Sequence, residues 1–333
     1  MKILLYLEAE KFLRKSGIGR AIHHQKRALD IAGIDYTTNP KEDFDIAHIN
    51  TYGIKSILLL FRVKRMGKKV IYHGHSTQED FRNSFIGSNL LAPLVKRYLT
   101  FLYSHADLVI TPTTYAKQLI SSYGVKTPIV AISNGIDLEK YKRSIDKELA
   151  FKKHFHVKEN EKIVICAALY FKRKGIDDFV KVAEMMPDVR FIWFGETNLW
   201  TVPGWVRRLV KTNHPSNVEF PGYIKGDVYE GAMTASDAFF FPSHEETEGI
   251  VVLEALASNQ HVVARDIPVY NGWLDNRAAS LVSTNEAFVE KLSDVLTHKI
   301  DKHIAGYQVA QSRSIDSISS QLVAAYHAVL DES

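Results

Sequence analysis

Apolar runs of strand length, each followed by a turn and then by apolar residues at helical spacing, recur in two long series along the chain. That alternation calls for parallel sheets with helices packed on their faces. The first series opens with the buried-strand pattern Ile3-Leu4-Leu5 and continues with strands at Ile46–Ile49, Lys69–Tyr72, Leu108–Thr111 and Pro128–Ile132. Its helices are read over Gly17–Ala32, with Gly33 as the stop, and over Ile54–Met66 and Thr114–Tyr123. Asn134-Gly135 closes the series in a turn, and the chain is then charged and irregular through Glu148. The second series runs from the strand Ile163–Leu169 through the helix Ile176–Met186, the strands Arg190–Phe194, Val218–Phe220 and Ala238–Phe241, a helix from Gly249, and the strand His261–Ala264. A helical tail follows over Ile315–Leu330.

Each series contains a glycine-bearing turn of the type that takes a phosphate. The expected fold class is therefore α/β: two Rossmann-like domains with parallel sheets facing an interdomain cleft. The expected borders are residues 1–137 for a first, acceptor-facing domain, 138–314 for a nucleotide-binding domain, and 315–333 for a crossover helix returning to the first. At 333 residues and 46% apolar, the chain has material for two cores.

The most informative stretch is Pro242 to Ala257, PSHEETEGIVVLEALA. It reads as a polar loop leading from a strand into a helix whose first amides, at Gly249, Ile250 and Val251, face an incoming anion with the positive end of the helix dipole behind them. Glu246 lies in the loop and Glu254 more than a turn inside the helix. Two carboxylates at different depths with an anion site between them suit a ligand that carries hydroxyls at both ends and phosphate in the middle, which is the shape of a nucleotide sugar. The alternative is that these acids merely stabilise the helix start. Lys172-Arg173-Lys174, just ahead of another helix, reads as a second anion site. Gly17-Ile18-Gly19 lacks the spacing of the dinucleotide fingerprint and is open to two readings, a phosphate turn or a plain tight turn. His73 and His75 end a strand, where ligands of parallel sheets gather. They lack a third ligand at zinc spacing, so both are read as polar cleft residues, with His75 nearer the reacting centre. Asp43-Phe44-Asp45 is read as solvated turn acids, and no metal site is assigned. Cys166 is read as a buried thiol.

Charge is uneven. Met1–Asp137 carries 19 Lys plus Arg against 11 Asp plus Glu, a net +8, while the remainder is −4. Basic residues Lys55, Arg62, Lys64, Arg65, Lys68 and Lys69 flank the apolar helix Ile54–Met66, and an apolar stretch follows at Leu90–Tyr103. Such segments fit an anionic membrane surface, and equally an ordinary packed helix with a solvated face. No apolar run approaches the roughly 20 residues that cross a bilayer, and the opening run is too short for a signal peptide. With one cysteine no disulfide framework exists. The expected location is cytoplasmic, peripheral on the inner face of the cell membrane.

The chain resembles the retaining family 4 glycosyltransferases of the GT-B fold over nearly its whole length. The resemblance is carried by Gly17-Ile18-Gly19, His73-Gly74-His75, Ser133 to Asp137, Arg173-Lys174-Gly175, and Pro242-Ser243 through Glu246 and Glu254. It implies that Glu246 contacts donor-sugar hydroxyls, Glu254 holds the ribose, and the amides of Gly249, Ile250 and Val251 take the diphosphate. Gly17 and Gly19 approach the same phosphates, His75 sits beside the anomeric carbon, and Lys172, Gly195 and Tyr223 join the donor side. Leu169 stands where the family has an arginine, so Lys172 or Arg173 must supply the second charge beside Lys174. Glu8-Ala9-Glu10, Lys15 to Ala21 and His73 to Thr77 are similar to bacterial glycolipid synthases that add a second hexose to glucosyldiacylglycerol.

The implied reaction moves a hexose from UDP-glucose or UDP-galactose to a membrane glycolipid, with diacylglycerol itself or a soluble sugar as the alternative acceptor. Cations and helix amides stabilise the departing UDP, so neither cofactor nor metal is required. A nucleotide-dependent oxidoreductase lacks its three-glycine fingerprint here. A nucleic-acid binder would leave Glu246 and Glu254 without a purpose, and no nucleic-acid partner is expected.

Overall fold

The alternating side chains of the opening strand are shared between two cores. In the computed structural model, which describes residues 1–13 and 16–331 and so leaves Lys15 outside, Leu4 joins Leu59, Leu60, Leu99, Leu102 and Tyr103. Ile3 and Leu5 face the other way, into Ile22, Leu29, Ile318, Leu322 and Tyr326. A strand buried on both faces is what an all-parallel sheet requires. That sheet is built from β1 (Lys2–Tyr6), β2 (Asp35–Thr37), β3 (Ile46–Ile49), β4 (Lys69–His73), β5 (Leu108–Thr111) and β6 (Ile129–Ala131) in the order β2-β1-β3-β4-β5-β6. A second sheet holds β7 (Ile163–Ala167), β8 (Arg190–Phe194), β9 (Val218–Gly222), β10 (Ala238–Phe241), β11 (Val262–Arg265) and β12 (Ser280–Val282) in the order β12-β11-β10-β7-β8-β9. The strand pairs in both sheets are parallel.

The chain divides into two units. One contains Met1–Phe81, Leu90–Ile136 and the residues from Arg313 onward; the other contains Arg82–Asn89 and Asp137–Ser312. In the first unit the C-terminal helix Ile315–Asp331 packs on Gly17–Ala32, where Ser319 Oγ donates to the Ala28 carbonyl at 2.6 Å. Gly17–Ala32 begins on Ser16, whose hydroxyl caps the Gly19 amide at 3.4 Å, and ends on left-handed Gly33. In the second unit, Asn83 accepts from the Arg173 amide at 3.2 Å and the Phe85 ring lies edge-on to Phe171 at 4.8 Å.

The stretch read as irregular through Glu148 is partly helical, over Ile145–His154. Its low amphipathicity hid it, because it packs chiefly through Phe151 and Glu148. The packing partner is the helix Asp227–Ala235, and the two approach so closely that a Cβ on Gly231 would lie 1.9 Å from the Lys147 carbonyl oxygen. Gly231→Ala therefore forces the helices apart. Urea unfolding should show a loss of about 1–3 kcal/mol, the scale of overpacking a tight contact.

Candidate donor-binding site

In a parallel sheet the loops after the strands emerge at one edge. Where the strand order reverses, two such loops diverge and leave a crevice. In the second sheet the reversal falls between β7 and β10. The loop after β7 carries Lys172–Lys174 and the loop after β10 carries Pro242–Gly249, so topology alone places the two informative stretches side by side. Lys172–Lys174 forms one turn of 3-10 helix. With three residues per turn, consecutive side chains point about 120° apart, and the three cations do not act as one cluster. Lys172 is exposed, Arg173 is buried and Lys174 is half-buried.

Arg173 donates from Nε to Ser84 Oγ at 2.8 Å and from Nη1 to the Glu245 carbonyl at 3.2 Å. It is thus the cation that stands with Lys174 at the loop bearing Glu246. Lys174 Nζ forms an ion pair with Glu246, and the same carboxylate oxygen accepts from Ser243 Oγ at 2.7 Å. The side chains of this pair are only 12% and 8% exposed, which removes most of the solvent screening that weakens a surface ion pair. The loop is fixed from several directions. The His244 amide donates to the Arg173 carbonyl at 2.7 Å, and Arg265 Nε donates to the Pro242 carbonyl at 3.0 Å. Asp178 takes Arg265 Nη2 at 2.7 Å and His244 Nε2 at 2.8 Å. Burial pushes the Asp178 carboxyl pKa up, but His244 and Arg265 outweigh it and hold the group below its ordinary value.

The helix Ile250–Ala257 starts after Gly249, which adopts a left-handed φ of 87° that favours glycine. Glu254, one turn inside, is buried and accepts from the Tyr229 hydroxyl at 2.6 Å. Gly195 and Tyr223 follow the carboxyl ends of β8 and β9, on the same edge of the sheet. Gly195 is required by contact, since a Cβ there would lie 1.9 Å from the Ala168 carbonyl oxygen.

In the first sheet the reversal lies between β1 and β3. Gly17 and Gly19 lie in the first turn of their helix, and a Cβ on Gly17 would meet nothing within 4 Å. His75, two residues past β4, is buried and contacts Asn50 Oδ1 through Nε2 at 2.9 Å. Burial, helped by His73 and His48, pushes its pKa well below the ordinary histidine value, so the ring is neutral.

Lys55, Arg62 and Arg65 are exposed on the helix Ile54–Arg65. Lys64 and Lys68 are both bonded within the chain, Lys64 while exposed and Lys68 while half-buried. Lys64 bonds to the His105 carbonyl at 3.0 Å and pairs with Asp107, and Lys68 pairs with Asp43 and bonds to the Phe44 carbonyl. Lys69 is half-buried at the start of β4. Asp43 is thus accounted for by Lys68, and Asp45 accepts from the Lys2 amide at 2.7 Å. Cys166 is buried, and burial pushes its thiol pKa far up. Among the described residues, side chains of metal-ligand type converge elsewhere, at His261, Asp301 and His303.

Sequence reading gave Ser243 no role of its own and missed Tyr229, Ser84 and the burial of Glu248. Ser84 belongs to a segment distant in sequence from Arg173. Tyr229 reaches Glu254 from another helix, so neither pairing leaves a local signal.

Two six-stranded parallel sheets, with buried carboxylates where the strand order of the second reverses, are the frame on which the likeness to known proteins rests. Residues 16–140 match Glycosyltransferase Family 4 and residues 146–311 match Glycosyl transferases group 1. The chain is 47% identical to the processive diacylglycerol alpha-glucosyltransferase of Acholeplasma laidlawii over 99% of both chains. It is 26% identical to the alpha-galactosylglucosyldiacylglycerol synthase of Streptococcus pneumoniae over 86% of this chain and 78% of that one. Its fold matches Anabaena Alr3699/HepE in complex with UDP and glucose at a TM-score of 0.77 and 17% identity, covering 98% of this chain and 100% of that one. Sucrose-phosphate synthase from Thermosynechococcus elongatus matches at 0.78 and 15% identity over 100% of each. The chain belongs to glycosyltransferase family 4.

Removing one partner of the buried Lys174–Glu246 pair leaves a charge with nowhere to go. Lys174→Met should cost about 3–5 kcal/mol in urea unfolding. The double variant Lys174→Met/Glu246→Gln, which leaves no unpaired charge, should recover most of that loss.

Proposed function

We propose that the chain transfers glucose from UDP-glucose to diacylglycerol and to the glucosyldiacylglycerol so formed, with retention of the α configuration. The observation that carries this reading is the 47% identity, across 99% of both chains, to a processive diacylglycerol alpha-glucosyltransferase. A galactosyl donor is the second reading, favoured by the more distant synthase of Streptococcus pneumoniae.

The residues divide the work as follows. Glu246 accepts hydrogen bonds from donor-sugar hydroxyls, Glu254 holds the ribose, and the amides of Gly249, Ile250 and Val251 take the diphosphate, with Lys172, Gly195 and Tyr223 bordering the nucleotide. Gly17 and Gly19 leave room for backbone to approach the phosphates, and His75 serves the reacting centre. As UDP departs, negative charge grows on its β-phosphate, and Lys174 and Arg173 stabilise it as preorganised cations. The same phosphate oxygen takes the proton of the attacking hydroxyl, which keeps both events on one face of the sugar. In this scheme cations and amides do the work that a metal would otherwise do.

The lipid acceptor calls for a surface that meets a bilayer. Among the described residues no helix is long and apolar enough to cross one. Leu90, Leu94 and Phe101 stand exposed at helical spacing on Ser88–Ser104, and Ile54 and Leu58 on Ile54–Arg65. These helices are neighbours, with Phe61 and Phe101 ring centroids 6.1 Å apart. Exposed leucines beside Lys55, Arg62, Arg65 and Arg97 suit shallow insertion into an anionic leaflet, each cation adding about 1 kcal/mol near the surface. On this reading the enzyme is peripheral to the inner face of the cell membrane.

Four measurements check the proposal. UDP should raise the melting temperature while NAD and a short DNA duplex should not, and mass spectrometry should find mono- and dihexosyl diacylglycerol formed from UDP-glucose. Glu246→Gln, shown to be folded, should lower kcat/KM at least about 100-fold, the scale of losing one preorganised group. A folded variant with wild-type rates overturns the site. Leu90→Glu/Leu94→Glu should leave the protein in the supernatant when anionic liposomes are sedimented, with the wild type found in the pellet.

A further inference from the structure

Among the first unit's polar side chains, a run of hydrogen bonds leads from the C-terminal helix Ile315–Asp331 to His75. The buried Tyr326 hydroxyl lies 2.8 Å from His48 Nδ1, and His48 Nε2 lies 3.1 Å from His73 Nδ1. Gln25 Nε2 reaches the same His73 nitrogen at 3.0 Å and Asn50 Oδ1 at 2.9 Å. Asn50 Nδ2 returns a bond to Gln25 Oε1 at 3.1 Å, and Asn50 Oδ1 meets His75 Nε2 at 2.9 Å. The three imidazoles stack, His48 on His73 at 5.2 Å and His73 on His75 at 3.9 Å.

The assignment of protons follows from which end of the Asn50 amide faces His75. A primary amide has one donating and one accepting end. Asn50 Nδ2 faces the His48 backbone carbonyl at 3.5 Å, and a carbonyl only accepts, so Asn50 Oδ1 is the end presented to His75. His75 Nε2 must then carry the hydrogen, which in a neutral ring leaves Nδ1 with its lone pair. The reciprocal amide pair aims Gln25 Nε2 at His73 Nδ1, so that nitrogen accepts. His48 Nε2 lies against the same nitrogen, and His48 Nδ1 lies against the Tyr326 hydroxyl. Burial keeps the string neutral: the His48 and His75 pKa values are pushed well down, and that of His73 falls to about 3 even though the Asn134 side chain works to raise it. The titratable groups of the string are His48 on β3, His73 on β4 and Tyr326 on the C-terminal helix.

We propose that Asn50 and Gln25 are positioning residues that lock His75 as its neutral Nε2–H tautomer, so that the group His75 offers a substrate is the Nδ1 lone pair. A lone pair takes a hydroxyl and rejects a phosphate or carboxylate. The ligand class it selects is therefore a sugar hydroxyl, which His75 orients as an acceptor without removing its proton. The substrate part rests on the reading of His75 given under Proposed function, whereas the tautomer lock stands apart from it.

Histidine-labelled protein, with His75→Gln used to assign the signal, tests the lock by long-range 1H–15N NMR without substrate. His75 should show a protonated Nε2 and an unprotonated Nδ1, unchanged between about pH 6 and pH 8. Asn50→Leu, checked for folding by thermal unfolding, should mix the tautomers and lower kcat/KM about tenfold. Asn50→Asp places a carboxylate against Nε2, which should raise the His75 pKa and move the acid limb of the kcat/KM profile up by about one unit or more. A wild-type proton on Nδ1, or an unaltered tautomer in Asn50→Leu, overturns the lock. A changed tautomer with unchanged kcat/KM overturns the role of His75 at the reacting centre and leaves the lock standing.

Discussion

A carboxylate withdrawn from water must be given partners, and in the second unit Glu246 and Glu254 show how that demand is met. Glu246 is held by Lys174 and Ser243, and Glu254 by Tyr229. Meeting it fixes much else. Lys174 has to come from the turn after β7, so β7 and β10 must be neighbours. Tyr229 has to come from Asp227–Ala235, which sets that helix against Ile250–Ala257. The loop that carries Glu246, the helix that carries Glu254 and the packing of this unit therefore share the same contacts.

The two units use polar interior groups differently. The second concentrates opposite charges at the edge of its sheet, where Lys174 meets Glu246 and Arg265 meets Asp178. The first buries neutral amides, imidazoles and a phenol, which keep their protons across the physiological range and hold shape.

Much of this was legible from the sequence because parallel strands buried on both faces write themselves as continuous apolar runs. β4, β7, β8 and β10 and the helices Gly17–Ala32 and Ile250–Ala257 were readable for that reason, and so was the position of Glu246 and Glu254 on loop and helix. The helix Ile145–His154 was not, because it buries few residues on no clear stripe. The run Lys172–Lys174 looked like a single patch because sequence does not reveal that a 3-10 turn fans neighbouring side chains apart. The string from Tyr326 to His75 was invisible because its members lie on four separated segments and none is charged.

One feature bears on how such proteins can be recombined. Neither unit is a contiguous stretch of chain, since the borders fall at 81/82, 89/90, 136/137 and 312/313. A chimera made by a single crossover near residue 137 would inherit Arg82–Asn89 from one parent and Arg173 from the other, separating Ser84 from the guanidinium it holds. Exchange of sugar-handling halves between relatives thus has to carry this eight-residue insert along, and its co-inheritance is a mark by which natural hybrids of the fold can be traced.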